Sequence, residues 1–210
     1  MAATGQTSDA GTPAHVIGAS MGGMIAQTIA ARHPAAVRSL VSIMSNTGAL
    51  LTGQPGLRTY PVLLRRAPPG REAFIERMVE VFQLIGSPGV PRDVEEIRAL
   101  AAESYDRDHD PAGPGRQLGA IVAAGNRAAE LRRIIAPTLV IHGKADRLVS
   151  LSGGRATARA IAGARLLKVD GMGHDLPRAL WPELLAAIAE HAQASDARGM
   201  RDPSLQAVPL

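Results

Sequence analysis

Short apolar runs and longer amphipathic stretches alternate along this chain. Four runs are rich in aliphatic and β-branched residues and are bounded by polar, Gly or Pro residues, which is typical of buried strands. They cover residues 15–18, 37–44, 137–143 and 164–169. Helical spacing follows the first run over residues 21–32 and the third over residues 152–162. A strand, a helix and a strand in this order pair in parallel through a right-handed crossover. The pattern therefore predicts an α/β fold with a mostly parallel sheet and flanking helices.

The middle of the chain follows a different pattern, in which helices are joined by Gly and Pro breaks. Residues 71–85 carry large apolar side chains at the 3, 4, 7 and 8 spacings of one helix face; these are Phe74, Ile75, Met78, Phe82 and Ile85. Further helices are predicted from Pro91 to about Tyr105 and over residues 117–132. Because these helices interrupt the strand pattern, we predict that they form an inserted helical lid.

The same pattern divides the chain into four parts. Residues 1–45 hold the first strand, its helix and the second strand, and residues 46–131 form the lid. Residues 132–193 complete the core and include a closing helix from Pro177 to about residue 192. Residues 194–210 are polar, contain Gly and Pro, and are predicted to be a flexible tail.

Composition excludes several function classes. Of the 210 residues 46% are apolar, and no run approaches the length of a membrane span, so we expect one soluble globular domain without membrane partners. No cysteine is present, which removes disulfides, cysteine nucleophiles and thiolate metal sites. The net charge of +4 comes mainly from scattered arginines, with few aromatic residues for stacking, so nucleic acid is not an expected partner. The first residues lack the features of a signal peptide, which leaves a cytoplasmic location as the expectation.

The candidate chemistry begins at the first predicted turn, where the sequence reads Gly18-Ala19-Ser20-Met21-Gly22. This matches G-x-S-x-G, the nucleophile elbow, in which a serine occupies a strained turn between a strand and a helix. A side chain at Gly18 or Gly22 is expected to clash in such a turn, and Gly23 lets the helix lie against its strand. A glycine-rich turn with a capping serine is the structural alternative.

Two further residues follow later strands in the order that the elbow requires. Asp146 comes after the third predicted strand and His174 after the fourth. Active residues collect at the carboxyl ends of parallel strands, and the chain order Ser, Asp, His is that of the α/β-hydrolase fold. His174 would take the proton of Ser20, Asp146 would orient the imidazole, and the backbone N–H of Met21 would donate to the oxyanion.

Each of these residues also has a plainer interpretation. Asp146 alone could be a turn residue and His174 a loop histidine; the acidic neighbours Asp170 and Asp175 are less favoured as the acid. The other histidines are interpreted as strand-end packing (His15, His142) or as surface residues (His33, His109, His191). The run 106–110 is interpreted as a solvated loop, since it lacks supporting metal ligands. No metal and no cofactor are expected.

The motifs together resemble the α/β-hydrolase family. The likeness covers about residues 14–193 and lies in the elbow region 14–26, the segment 33–40, the acid motif 141–146 and the histidine motif 171–175. It implies a serine hydrolase, and it leans toward small-molecule esterases of the aclacinomycin methylesterase type. Members of the family carry further strands before the elbow, with a loop that supplies a second oxyanion donor. In this sequence only residues 1–14 precede His15, which is too few for those strands. We therefore expect an N-terminally truncated form whose activity is impaired.

The leading hypothesis is therefore hydrolysis of a small-molecule carboxylic ester through an acyl-enzyme on Ser20. Cofactor-free haloperoxidase or perhydrolase chemistry would use the same residues. A third hypothesis is an inactive, hydrolase-derived fragment that acts as a binding or oligomeric module. If the elbow strand lies at the edge of the sheet, it could pair with another chain, so self-association is a further expectation.

Overall fold

Within the described residues, which are 12–63, 65, 68–91 and 93–201 of a computed structural model, four strands form one sheet. They are β1 (Ala14–Ala19), β2 (Val37–Ile43), β3 (Thr138–Gly143) and β4 (Arg165–Val169). The strands lie side by side in chain order, and every neighbouring pair is parallel. The predicted parallel sheet is confirmed, and β1 occupies one of its edges. All four carboxyl ends meet at the same rim of the sheet, which is where a site can be assembled.

Eight α-helices accompany this sheet within the described residues. They are α1 (Met21–Arg32), α2 (Tyr60–Leu63), α3 (Arg71–Ile85), α4 (Val94–Arg107), α5 (Gly113–Ala124), α6 (Ala128–Leu131), α7 (Leu151–Ala160) and α8 (Trp181–Arg201). None of these helices combines the length and the hydropathy that crossing a bilayer requires.

The helices cover both faces of the sheet because its side chains alternate. On one face α1, α6 and α7 bury a cluster that includes Ala30, Leu40 and Leu131, each fully excluded from solvent. On the other face α8 packs Leu184 against strand residues such as Val41 and Ile141. This two-sided burial explains why β2 and β3 read as continuous apolar runs.

The insertion between β2 and β3 contains the predicted helices with shifted limits. Helix α3 has the predicted bounds, whereas α4 begins at Val94 because the Asp93 side chain caps it by accepting from the Glu96 N–H. The third predicted helix is divided: α5 ends at Ala124, just before Gly125, and Leu131 of the separate helix α6 packs in the core between α1 and α7. The chain therefore re-enters the core before residue 131, where we had placed the end of the lid.

The predicted flexible tail is wrong for residues 194–201, because α8 continues through them. Asp196 accepts from Arg38 at 2.9 Å and lies 3.3 Å from the His15 ring, which ties the end of α8 to β1 and β2. His191, expected at the surface, is buried and bonds the carbonyl of Pro137 at 3.2 Å. Residues 202–210 lie outside the described residues.

The charged run 106–110 begins inside α4 and continues as a loop, and two of its side chains contact α3 or α4. Asp106 bonds Arg71 at 2.7 and 2.8 Å, and the hydrogen bond from that guanidinium lowers the pKa of the Asp106 carboxyl. His109 stacks on Tyr105 with ring centroids 4.3 Å apart and meets Phe74 edge-on at 5.0 Å. The run thus fastens α4 to α3, although residues 108–110 themselves form a loop, as predicted.

Candidate active site

Ser20 lies in a strained turn between β1 and α1. Its backbone has φ 53° and ψ −120°, a conformation that non-glycine residues rarely adopt and that persists only where the surrounding structure enforces it. The Ser20 N–H donates to the carbonyl of Ile43 at 2.9 Å, which extends the pairing of β1 with β2 by one residue. The Ser20 carbonyl accepts from Gly23 and Met24 and so begins the helix. The turn therefore presents the hydroxyl at the carboxyl rim of the sheet.

The glycines around the turn do not all act as we predicted. A Cβ on Gly18 would lie 2.1 Å from the carbonyl oxygen of Gly22, so only glycine fits there. The predicted clash at Gly22 is wrong, because a Cβ there meets nothing within 4 Å. A Cβ on Gly23 would lie 2.7 Å from the Cβ of Ser45, just beyond β2. Gly18 and Gly23 thus permit the close packing, while Gly22 borders open space.

The three side chains singled out in the sequence lie in one chain of hydrogen bonds. His174 Nε2 is 2.9 Å from Ser20 Oγ, and His174 Nδ1 is 2.8 Å from Asp146 Oδ2. The three residues stand at the ends of β1, β3 and β4, so the parallel sheet brings together positions far apart in sequence. Asp146 and His174 are both buried, which strengthens their electrostatic interaction.

Asp146 is held by backbone as well as by the histidine. Its Oδ1 accepts from the N–H groups of Leu148 at 2.9 Å and Val149 at 2.8 Å, which leaves Oδ2 for His174. An ionised carboxylate can only accept, so the proton of this last bond belongs to Nδ1 of His174. The Nε2 atom is then free to accept from the Ser20 hydroxyl.

His142, which we predict from the sequence to be strand-end packing, is a neighbour of this carboxylate. It is fully buried, its Nε2 bonds the carbonyl of Val149 at 2.8 Å, and the same nitrogen lies 3.6 Å from Asp146 Oδ2. Burial lowers the pKa of the His142 imidazole, so the ring stays neutral near pH 7. A neutral His142 leaves the charge of Asp146 available to His174.

The N-terminus of α1 supplies the candidate oxyanion donor. Met21 is the first residue of this helix, where a backbone N–H has no acceptor within the helix. The helix dipole adds positive potential at the same point. The Met21 N–H therefore lies beside Ser20 in a position suited to stabilising negative charge that develops there.

A cavity of about 860 Å³ opens over Ser20 and His174. Its wall is formed largely by apolar side chains of the lid helices α3 and α4, namely Phe74, Met78, Phe82, Ile97, Leu100 and Ala101. On the core side Arg178 bonds Glu96 of α4 at 2.5 Å and lies over the ring of Trp181, 5.2 Å from its centroid. The predicted apolar face of α3 is thus divided, since Ile75 and Ile85 are buried while Phe74, Met78 and Phe82 face the cavity.

Comparison with known proteins assigns the chain to a family. The family model Hydrolase_4, described as serine aminopeptidase S33, matches residues 2–178. Rhodomycin D methylesterase DnrP of Streptomyces peucetius is 30% identical over 203 residues, covering 87% of this chain and 67% of that protein. A pimeloyl-[acyl-carrier protein] methyl ester esterase of Chromobacterium violaceum is 28% identical, covering 86% of this chain and 70% of that protein.

Solved structures give the same fold. A 2-hydroxy-6-oxo-6-phenylhexa-2,4-dienoate hydrolase from a Rhodococcus strain matches with a TM-score of 0.65 at 22% identity, covering 88% of this chain and 65% of that one. The chain therefore spans between 65% and 70% of the length of these three proteins. The family match and the methylesterase relative confirm the resemblance seen in the motifs: the chain belongs to the α/β-hydrolase family described as serine aminopeptidase S33.

Proposed function

We propose that this chain is a serine esterase that uses Ser20, His174 and Asp146 as its catalytic residues. The observation that carries the proposal is the continuous hydrogen-bonded chain from Ser20 Oγ through the His174 ring to Asp146, with separations of 2.9 and 2.8 Å. Serine is a weak nucleophile unless a base lies within hydrogen-bond reach and is itself oriented by a third group. The arrangement satisfies both conditions.

The reaction follows from the protonation of His174, which carries its proton on Nδ1 and leaves Nε2 to act as the base. Ser20 Oγ attacks the ester carbonyl carbon while His174 Nε2 takes its proton, and Asp146 stabilises the imidazolium that forms. The carbonyl oxygen becomes an oxyanion beside the Met21 N–H. His174 then gives its proton to the departing alkoxide, so an alcohol leaves and an acyl group remains on Ser20. Water, deprotonated by the same histidine, releases the acid and restores the hydroxyl.

The substrate class follows from the cavity wall. Phe74, Phe82 and Ile97 offer apolar surface in the cavity that Ser20 also lines, which suits an aliphatic or aromatic acyl group. Two of the relatives are named for methyl ester hydrolysis, which supports a carboxylic ester with a small alcohol part. We therefore propose a small-molecule ester whose apolar portion lies under the lid.

The test is hydrolysis of p-nitrophenyl esters of increasing chain length, together with labelling by a fluorophosphonate. We expect kcat/KM to rise from the acetate to the hexanoate by up to about fourfold per buried methylene. We expect mass spectrometry to find the phosphonyl adduct on Ser20. A label on other serines only, or no ester turnover, would contradict the proposal. Acid-dependent peroxide turnover exceeding ester hydrolysis would favour the perhydrolase hypothesis instead.

We also propose self-association through the edge of β1, which no other strand of the described residues pairs with. Ile17 on this strand is 52% exposed, and Ile25 and Ile29 of the adjacent helix α1 are exposed as well. An apolar edge strand invites pairing with another chain, and an edge lysine opposes it. We expect light scattering to report a concentration-dependent mass for the chain and a lower mass for Ile17→Lys. The matched control is Ile135→Lys, an isoleucine outside the sheet that is 71% exposed; equal masses for both variants would refute the edge as the interface.

A further inference from the structure

The loop that carries His174 contacts the lid through an unusually close backbone seam. Gly89 N–H donates to the Gly171 carbonyl at 3.2 Å, and His174 N–H donates to the Ile85 carbonyl at 2.7 Å. A Cβ on Gly173 would lie 2.6 Å from the same Ile85 oxygen, so the two backbones touch without intervening side chains. The segment that follows α3 is therefore part of the support of the histidine loop.

Ser87 is the polar side chain inside this seam. It is 1% exposed, and its hydroxyl accepts from the Gly173 N–H at 2.8 Å while it donates to a carboxylate oxygen of Asp175. One hydroxyl thus binds both residues that flank His174, from a lid position 87 residues earlier in the sequence than that histidine. Both hydrogen-bonding roles of the hydroxyl are used, which fixes its orientation.

The core side of the same loop is held separately. Ala145 N–H donates to the Met172 carbonyl at 3.0 Å, and Lys144 N–H donates to Val169 at 2.9 Å. These bonds fix the loop where it leaves β4, whereas the lid bonds fix it at His174 itself. The His174 imidazole needs both sets of hydrogen bonds to stay in place, because a displacement of about 1 Å in a catalytic group can lower the rate about a hundredfold.

We propose that Ser87 is a positioning residue that couples the lid to the imidazole of His174. This inference rests on the proposed function for its kinetic part. The Ser87 hydroxyl binds the Gly173 N–H on one side of His174 and the Asp175 carboxylate on the other, so the ring keeps its bonds to Ser20 and Asp146 only while the segment after α3 is seated on the loop. The lid then contributes to the chemical step as well as to the cavity wall.

The test compares Ser87→Ala with Ser195→Ala in the full chain. Ser195 is also a buried serine, but its hydroxyl bonds the His191 carbonyl within α8, away from the site. With p-nitrophenyl acetate we expect Ser87→Ala to lower kcat about 10- to 100-fold with KM changed less than about threefold. A raised KM with unchanged kcat would mean that Ser87 only contacts substrate and would overturn the proposal.

A second readout does not depend on turnover. In the unmodified chain the His174 Nδ1 proton, shared with Asp146, should give a downfield NMR resonance that is missing in His174→Gln. We expect this resonance to broaden or vanish in Ser87→Ala and to remain in Ser195→Ala; an unchanged resonance in both overturns the proposal. If the chain hydrolyses no ester but Ser87→Ala still removes the resonance, the proposed function fails while the positioning role stands.

A third variant covers the case in which Ser87→Ala does not fold. Gly89→Ala keeps the hydroxyl but adds a methyl group 2.7 Å from the Gly171 Cα, so the seam must open. We expect the same loss of the resonance and of kcat as for Ser87→Ala. Retention of both in a folded Gly89→Ala protein would show that the seating of the lid does not control His174.

Discussion

Replacing Ser20 with alanine should lower kcat for p-nitrophenyl butyrate at least about a thousandfold, since the nucleophile is lost while the surrounding donors remain. The cavity wall is untouched, so KM for any residual reaction should change little. Labelling by a fluorophosphonate should vanish in the same variant. The measurement is a steady-state assay of the purified chain beside Ser20→Ala at equal concentration.

The stability of Ser20→Ala should differ little from that of the parent, which separates lost chemistry from lost fold. The hydroxyl makes one hydrogen bond, to His174, and its removal should change the free energy of unfolding by about 1 kcal/mol. The positive φ at residue 20 is strained for alanine as it is for serine. A matched control is Ser152→Ala, which loses a hydroxyl that bonds the Gly53 N–H outside the cavity. Equal turnover in all three proteins would refute Ser20 as the nucleophile.

The strands and the order of the candidate residues could be predicted from local sequence. Val16, Val41 and Ile141 lie in apolar runs bounded by Gly, Pro or polar residues, and such runs form strands when both faces of a sheet are covered. Parallel pairing then follows from the intervening helices, and it brings the strand ends to one rim. Ser20, Asp146 and His174 are therefore neighbours in space for a reason that the pattern contains.

Contacts made across the sheet and the lid could not be predicted in this way. Ser87 stands in a Ser-Pro-Gly break that indicates only a turn, yet its hydroxyl is buried against a loop far along the chain. His191 and Asp196 stand in a polar stretch, and their partners Pro137 and Arg38 lie on other elements. Periodicity reports which face of an element is apolar; it carries no information on which polar partner a distant segment brings.

Gly22 illustrates a related limit. The elbow motif indicates that small residues surround the serine, but the motif does not tell which of them is in close contact. The close approach is made by Gly18 against the Gly22 carbonyl oxygen, so a side chain is excluded at the first glycine and tolerated at the second. The direction of a Cβ depends on the backbone path, which only the folded turn defines.

Asp146→Asn is expected to lower kcat about 10⁴-fold with little change in KM, because it moves the proton of the neutral His174 ring from Nδ1 to Nε2. In the parent, Oδ1 accepts from the Leu148 and Val149 N–H groups and Oδ2 accepts from His174 Nδ1. An asparagine must keep its oxygen toward the two backbone donors, so its NH₂ group points at Nδ1. His174 can then accept there only as the tautomer with its proton on Nε2, and that nitrogen can no longer take the proton of Ser20.

The matched control is Asp196→Asn, which removes a carboxylate charge on α8 away from the cavity and should leave the rate unchanged. The His174 ring should stay in place in Asp146→Asn, so NMR should report the exchange of Nδ1–H for Nε2–H rather than a disordered side chain. Retained activity together with an Nε2–H tautomer would contradict the role of His174 as the base. The backbone N–H groups of residues 148 and 149 dictate the orientation of the asparagine, so the expected loss of activity follows from backbone geometry. Measuring it therefore tests the whole chain of hydrogen bonds from the turn after β3 to Ser20.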